Sequence, residues 1–194
     1  MIKILCILMR YDYGFKERGN SYEFVNVFLP LCDVYGEENV TLFDFYSEYK
    51  SHGKALMNKK LKDIIVSDKP SITLFCLFEN EFDVDTILEL KNFTTTVAYF
   101  FDDPWRISYA CYWRNLFNYS TTPDYYMLKK YEMEGLKNII FCPFGYNNKI
   151  FKKLDIPIKI SVSFIGGFSP YRKWIFNTLK KEGVDIQIFG RGWG

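Results

Sequence analysis

At 194 residues the chain has room for one domain of ordinary size and a remainder, since most domains run about 100–150 residues. Its apolar fraction of 48% can fill a core, and its charged fraction of 25% is ordinary for a globular protein. A net charge of +2, with lysines scattered rather than striped, argues against a nucleic-acid binder.

The first apolar run, Ile2 to Met9, reads as a parallel strand covered on both faces. It is too short to span a membrane, closes on Arg10 and has no small-residue cleavage site. Cytoplasmic residence is expected, with peripheral membrane contact left open. Asn20-Ser21 is placed to cap a helix through Tyr22, Phe24, Val25, Phe28 and Leu29, which Pro30 should kink or end. Val40 to Asp44 reads as a second strand. A long helix from Ser47 to Val66 follows, with Leu56, Leu61, Ile64 and Ile65 on one face.

Pro70 to Phe78 is the third strand and Asp83 to Lys91 a short helix. Thr94 to Phe101 is the fourth strand, entering Asp102-Asp103-Pro104-Trp105-Arg106. A fifth strand is expected at Phe117 to Ser120, a helix from Thr122-Pro123, and a sixth strand at Asn138 to Cys142. Pro143 to Asn147 reads as a turn. A linker then leads to a second apolar strand at Ser161 to Ile165, Gly166-Gly167, a helix, and a strand from Val184. The expected architecture is α/β: a Rossmann-like open parallel sheet with helices on both faces over residues 1–150. A linker and a truncated second Rossmann-like unit fill 151–194.

The chemistry-bearing residues collect where such sheets bind ligands, beyond the carboxyl ends of strands. Asp102 and Asp103 follow the fourth strand, where a carboxylate can take a proton from a hydroxyl. If Pro104 starts the next helix, Asp103 is also a natural N-cap, leaving Asp102 the freer group. Gly14, Arg18 and Gly19 lie in the first strand–helix loop, without the spacing of a dinucleotide fingerprint. Gly166, Gly167 and Arg172 open the last helix, a setting for a pyrophosphate or simply a tight turn. Asp83-Val84-Asp85 fits a helix N-terminus better than a metal site.

Five cysteines (Cys6, Cys32, Cys76, Cys111, Cys142) without a CxxC, and His52 as the sole histidine, point to free thiols in a reducing compartment and no zinc. One histidine also assembles no nucleophilic triad. The 19 Phe and 15 Tyr read as strand and helix-face residues, with stacking surfaces for bases or sugars as the alternative.

The segment Val162-Ser163-Phe164-Ile165-Gly166-Gly167, then Tyr171-Arg172, then Gly183 to Trp193, resembles the start of the C-terminal domain of CgeB-like (spore maturation protein type) glycosyltransferases. Asp102-Asp103-Pro104 and Pro143-Phe144-Gly145-Tyr146-Asn147 also look like that family. The resemblance implies a GT-B architecture in which two Rossmann-like domains face a cleft. It implies sugar transfer from a nucleotide-sugar donor to a glycan, protein or small-molecule acceptor, without a metal or other cofactor. By position, Asp102 or Asp103 would be the base, and Gly166, Gly167 and Arg172 would lie near the donor phosphates. With most of the donor domain beyond Gly194, little or no activity is expected of this chain alone. The rival expectation is a non-catalytic binding or interaction module that self-associates through its second unit.

Overall fold

The computed structural model describes residues 2–193 and divides into two compact units, Met1–Phe151 and Lys152–Gly194. The first unit is built on a six-stranded, wholly parallel sheet in the order β2-β1-β3-β4-β5-β6. These strands are β1 (Ile4–Leu8), β2 (Val40–Asp44), β3 (Ile72–Phe75), β4 (Thr95–Ala98), β5 (Tyr119–Thr122) and β6 (Ile139–Phe141).

All five residues of β1 are buried, as its continuous apolar run requires of a central strand. Leu5, Ile7 and Met9 join one core with Met57, Leu61, Ile87 and Trp113. Ile4, Cys6 and Leu8 join a second core with Phe24 and Val40. The period-2 alternation of a strand thus feeds two layers of helices.

The helices are α1 (Leu29–Tyr35), α2 (Phe45–Asp68), α3 (Val84–Leu90), α4 (Ile107–Arg114) and α5 (Tyr125–Met133). Right-handed crossovers explain their sides. The step from β1 to β2 runs one way across the sheet, and every later step runs the other way. Residues of α1 and the turn before it accordingly pack on one core, and those of α2, α3 and α4 on the other. The direction reverses between β1 and β3, which makes that gap the switch point where open sheets bind ligands.

The first helical segment changes character next to Pro30. A π-helical turn, Phe24–Phe28, runs directly into α1, and Leu29 N–H bonds back to the Phe24 carbonyl. In this i+5 register the Val25 carbonyl would pair with residue 30, and Pro30 has no N–H to give. Asn147 supplies the replacement: its Nδ2 donates to Val25 O at 3.1 Å, and its backbone N–H donates to Asn26 Oδ1 at 2.8 Å. The Pro143–Asn147 segment is thereby tied to the first helix.

In α2 the buried stripe is Met57, Leu61 and Ile65, while Leu56 is exposed. Four-residue steps drift only about 40° around a helix, whereas Leu56 stands a full residue's rotation from the stripe. Gly53 interrupts this helix with a φ of 77°.

The second unit contains β7 (Val162–Ile165), α6 (Pro170–Lys181) and β8 (Ile186–Phe189), with β7 and β8 paired in parallel. Phe164, Phe176 and Trp193 meet as its small aromatic core. Ser169 caps α6 by accepting from the Arg172 N–H, and Pro170 takes the first helical position. Among the described residues no helix is long and apolar enough to cross a membrane.

Candidate functional site

A cavity of about 450 Å³ opens beyond the carboxyl ends of β1, β3 and β4, at the switch point. Its wall joins the loop after β1 (Met9, Asp12, Tyr13), the start of the first helix (Ser21, Tyr22, Glu23) and the loop after β3 (Cys76, Leu77, Phe78). Phe100 to Asp103, Arg106 and Tyr109 close it, with Phe144 at the rim.

Each wall is held from behind. The Ser21 hydroxyl donates to the Met9 carbonyl and accepts from the Phe24 N–H, fixing the helix start against the end of β1. Glu81, buried in the loop after β3, accepts from the N–H groups of Phe78 and Glu79 at 2.8 and 2.7 Å. Arg106 Nη1 donates to Phe78 O at 2.8 Å while its guanidinium lies 3.9 Å from the Tyr109 ring centre. Tyr109 in turn donates to Glu79 O at 2.7 Å, and burial raises its own hydroxyl pKa. Rings dominate the interior: Tyr13 meets Phe78 edge-on, and Tyr22 meets Phe101 in the same way.

The two adjacent carboxylates have separate fates. Asp102 is exposed at the cavity, its backbone carbonyl accepting the Trp105 and Arg106 N–H groups at 3.1 Å each. Asp103 is buried. Its Oδ2 takes Arg114 Nη2 at 2.6 Å and the Tyr131 hydroxyl at 2.7 Å. Arg114 also donates to Ser120 Oγ at 2.7 Å and lies over the rings of Phe100 and Tyr131. Burial is the larger cause, and the hydrogen bond to Asp103 the next, of a raised Tyr131 pKa. Asp103 therefore ties α4 and α5 to the end of β4. It is not the N-cap expected from Pro104, because α4 starts only at Ile107, after Arg106.

Glu23 is the site residue that sequence reasoning missed. It lines the cavity, is 9% exposed, and its pKa is raised, chiefly by burial. The available signal was a single charge in the otherwise uncharged helical run Tyr22 to Leu29. Arg106 and Tyr109 were also missed, since only the fold brings them to the loop after β3. Cys76, also in the wall, is a buried thiol whose pKa is pushed well above the ordinary value by burial.

Gly14, Arg18 and Gly19 lie in the expected loop but outside the cavity wall. The loop is closed by Asp12 N–H to Gly19 O at 3.0 Å, and Arg18 stacks on Phe15. Gly14 has φ +71°, and a Cβ there would fall 1.9 Å from Tyr46 Cδ1, so packing alone demands glycine.

Gly166, Gly167 and Arg172 do converge in the second unit. Arg172 Nη1 donates to Gly167 O at 2.7 Å, and its guanidinium lies over the Phe164 ring. The Gly166 amide is already spent on Phe189 O at 2.8 Å, and its carbonyl accepts from Trp193 Nε1. A Cβ on the facing Gly190 would fall 2.2 Å from Gly166 O, so the two backbones approach as only glycine allows. The open part of this turn is Gly167.

His52 is solvent-facing and pairs with Glu48 at 3.7 Å, and Asp83 pairs with Lys54 at 3.2 Å. All five cysteines are free. Among the described residues, no three His, Cys, Asp or Glu side chains converge as metal ligands. Compared with known proteins, the chain matches no family model, no curated protein and no solved structure.

Proposed function

We propose that the first unit is the acceptor-side domain of a GT-B type glycosyltransferase and that the second begins its donor-side domain. The observation that carries this reading is the cavity at the switch point, in which flat rings surround an exposed carboxylate, Asp102. Rings that accept the CH faces of a sugar, beside a group that accepts its hydroxyl proton, suit an acceptor for sugar transfer. The resemblance of the Val162–Trp193 segment to CgeB-like transferases supports the same assignment.

In the proposed reaction Asp102 takes the proton of an acceptor hydroxyl. The oxygen bonds to the anomeric carbon of a nucleotide sugar as the bond to the diphosphate oxygen breaks, and the nucleoside diphosphate leaves with the electron pair. Asp103 is assigned to positioning, because Arg114 and Tyr131 occupy its Oδ2. Gly167 and Arg172 are assigned to the diphosphate.

The test measures nucleoside diphosphate released from UDP- and GDP-sugars by the whole natural protein that carries this chain. Asp102→Asn is expected to lower turnover about 100-fold or more, within the range for a general base. Normal turnover in that variant removes the base assignment, and no release from any donor removes the transfer reading. A non-catalytic interaction module is favoured by one observation, the exposed Tyr171–Trp174 stack and Ile165 in the second unit. Self-association measured by light scattering, and abolished by Trp174→Ser, would support that second reading.

A further inference from the structure

A second, shallower depression of about 320 Å³ adjoins the cavity, and Phe101 and Phe144 belong to both walls. Their rings are parallel to within 2°, 6.3 Å apart. The far wall is formed by Trp105, from the turn after β4, by Tyr125 and Tyr126, from the start of α5, and by Phe141, at the end of β6. Trp105 is 87% exposed and Tyr126 86%. Single exposed rings are ordinary, but a contiguous cluster beside a cavity is the mark of a binding surface.

The two tyrosines at the start of α5 are held in place. Asp124 Oδ1 accepts from the Tyr126 N–H at 2.9 Å and starts α5. Tyr125 meets Tyr126 at 78° and Phe141 at 81°, so edges pack against faces and the outward surfaces stay free. The lining includes no lysine or arginine, and its one carboxylate, Asp124, is engaged in capping. Anionic lipid headgroups and nucleic-acid phosphates therefore find no partner here. A neutral ligand with apolar faces and hydroxyl edges matches both the rings and the tyrosine hydroxyls.

We infer that this depression is an extended-acceptor subsite, in which the second and later units of an oligosaccharide stack on Trp105 and Tyr126 while the terminal unit enters the cavity. The inference rests on the sugar-acceptor reading of the cavity. It adds that the acceptor is a glycan chain rather than a monosaccharide or a lipid.

The experiment titrates the full chain, without nucleotide sugar, with methyl glycosides and with malto-, cello- and chito-oligosaccharides of one to six units, by calorimetry or ligand-observed NMR. In at least one series affinity is expected to rise tenfold or more between one unit and four. Trp105→Ala and Tyr126→Ala should remove that rise and leave monosaccharide affinity unchanged, whereas Trp105→Phe should keep most of it. Both side chains are exposed, so neither variant opens a cavity in the core. Absence of binding or of length dependence in every series overturns the inference. So does Trp105-dependent sedimentation with phosphatidylcholine/phosphatidylglycerol vesicles, or a dimer that Trp105→Ala dissolves. Length-dependent binding, with no nucleoside diphosphate released from any donor by the whole natural protein, upholds the subsite and removes the transferase reading. Transfer without length dependence does the reverse.

Discussion

Arg114 Nη2 lies 2.6 Å from Asp103 Oδ2, with both side chains almost completely removed from solvent. Asp103 Oδ1 and Arg114 Nε make no hydrogen bond within the protein. A buried pair of this kind is costly to break and cheap to replace, because removing one partner strands the other charge. Arg114→Met is expected to destabilise the protein by about 3–5 kcal/mol in urea unfolding, and Asp103→Leu similarly. The double variant should cost much less than the sum of the two. Additive losses would show that the ions do not act as a pair.

The Pro30–Val25–Asn147 relationship gives a second double-variant test. Asn147→Ala removes the donor to the part-buried Val25 O and should cost about 1 kcal/mol, the usual net worth of a hydrogen bond. In a Pro30→Ala background the new N–H can serve the freed carbonyls, so the same change should cost measurably less. Equal losses in both backgrounds would mean that Asn147 acts only through its other bonds.

Glu23 has a folded pKa above its ordinary value of 4.5, burial being the first cause. The folded state then holds its proton at pH values where the unfolded chain has lost it, so stability falls as pH rises above about 4.5. Glu23→Gln should be more stable than the parent near pH 7, and the advantage should shrink toward pH 4. Glu81 is shifted the same way, so the variant removes only part of the pH slope. A Glu23→Gln variant that is less stable at pH 7 and unchanged at pH 4 would reverse the assigned sign.

Gly14→Ala adds both a positive-φ penalty of about 1 kcal/mol and a clash with the Tyr46 ring, so a loss clearly above that penalty is expected in thermal unfolding. In a Tyr46→Ala background the loss should fall to the backbone penalty alone. Comparable losses in both backgrounds would rule out the steric account.

Most of the sheet was legible because its strands are locally distinctive. Ile4 to Leu8 is a continuous apolar run and is buried throughout, and Val40 to Asp44 buries Val40 and Phe43. Boundaries slipped where caps lie beyond a proline: α5 begins after Asp124, not at Pro123, and α4 at Ile107, not at Pro104. The helix changes from a π turn to α1 next to Pro30, but the compensation by Asn147, more than a hundred residues away in sequence, had no local signal.

The sequence by itself determined the parallel strands and the helices that alternate with them. These follow from local periodicity and from the glycines and prolines that end each element. Only the tertiary structure decided the strand order, the placement of Glu23, Arg106 and Tyr109 around one cavity, and which of two neighbouring aspartates is available. Asp102 and Asp103 are chemically identical in the chain. They differ because Arg114 and Tyr131, brought in from α4 and α5, hold one inside the protein and leave the other at the surface. Burial and partnership are properties of the folded surroundings, and no local pattern of residues encodes them.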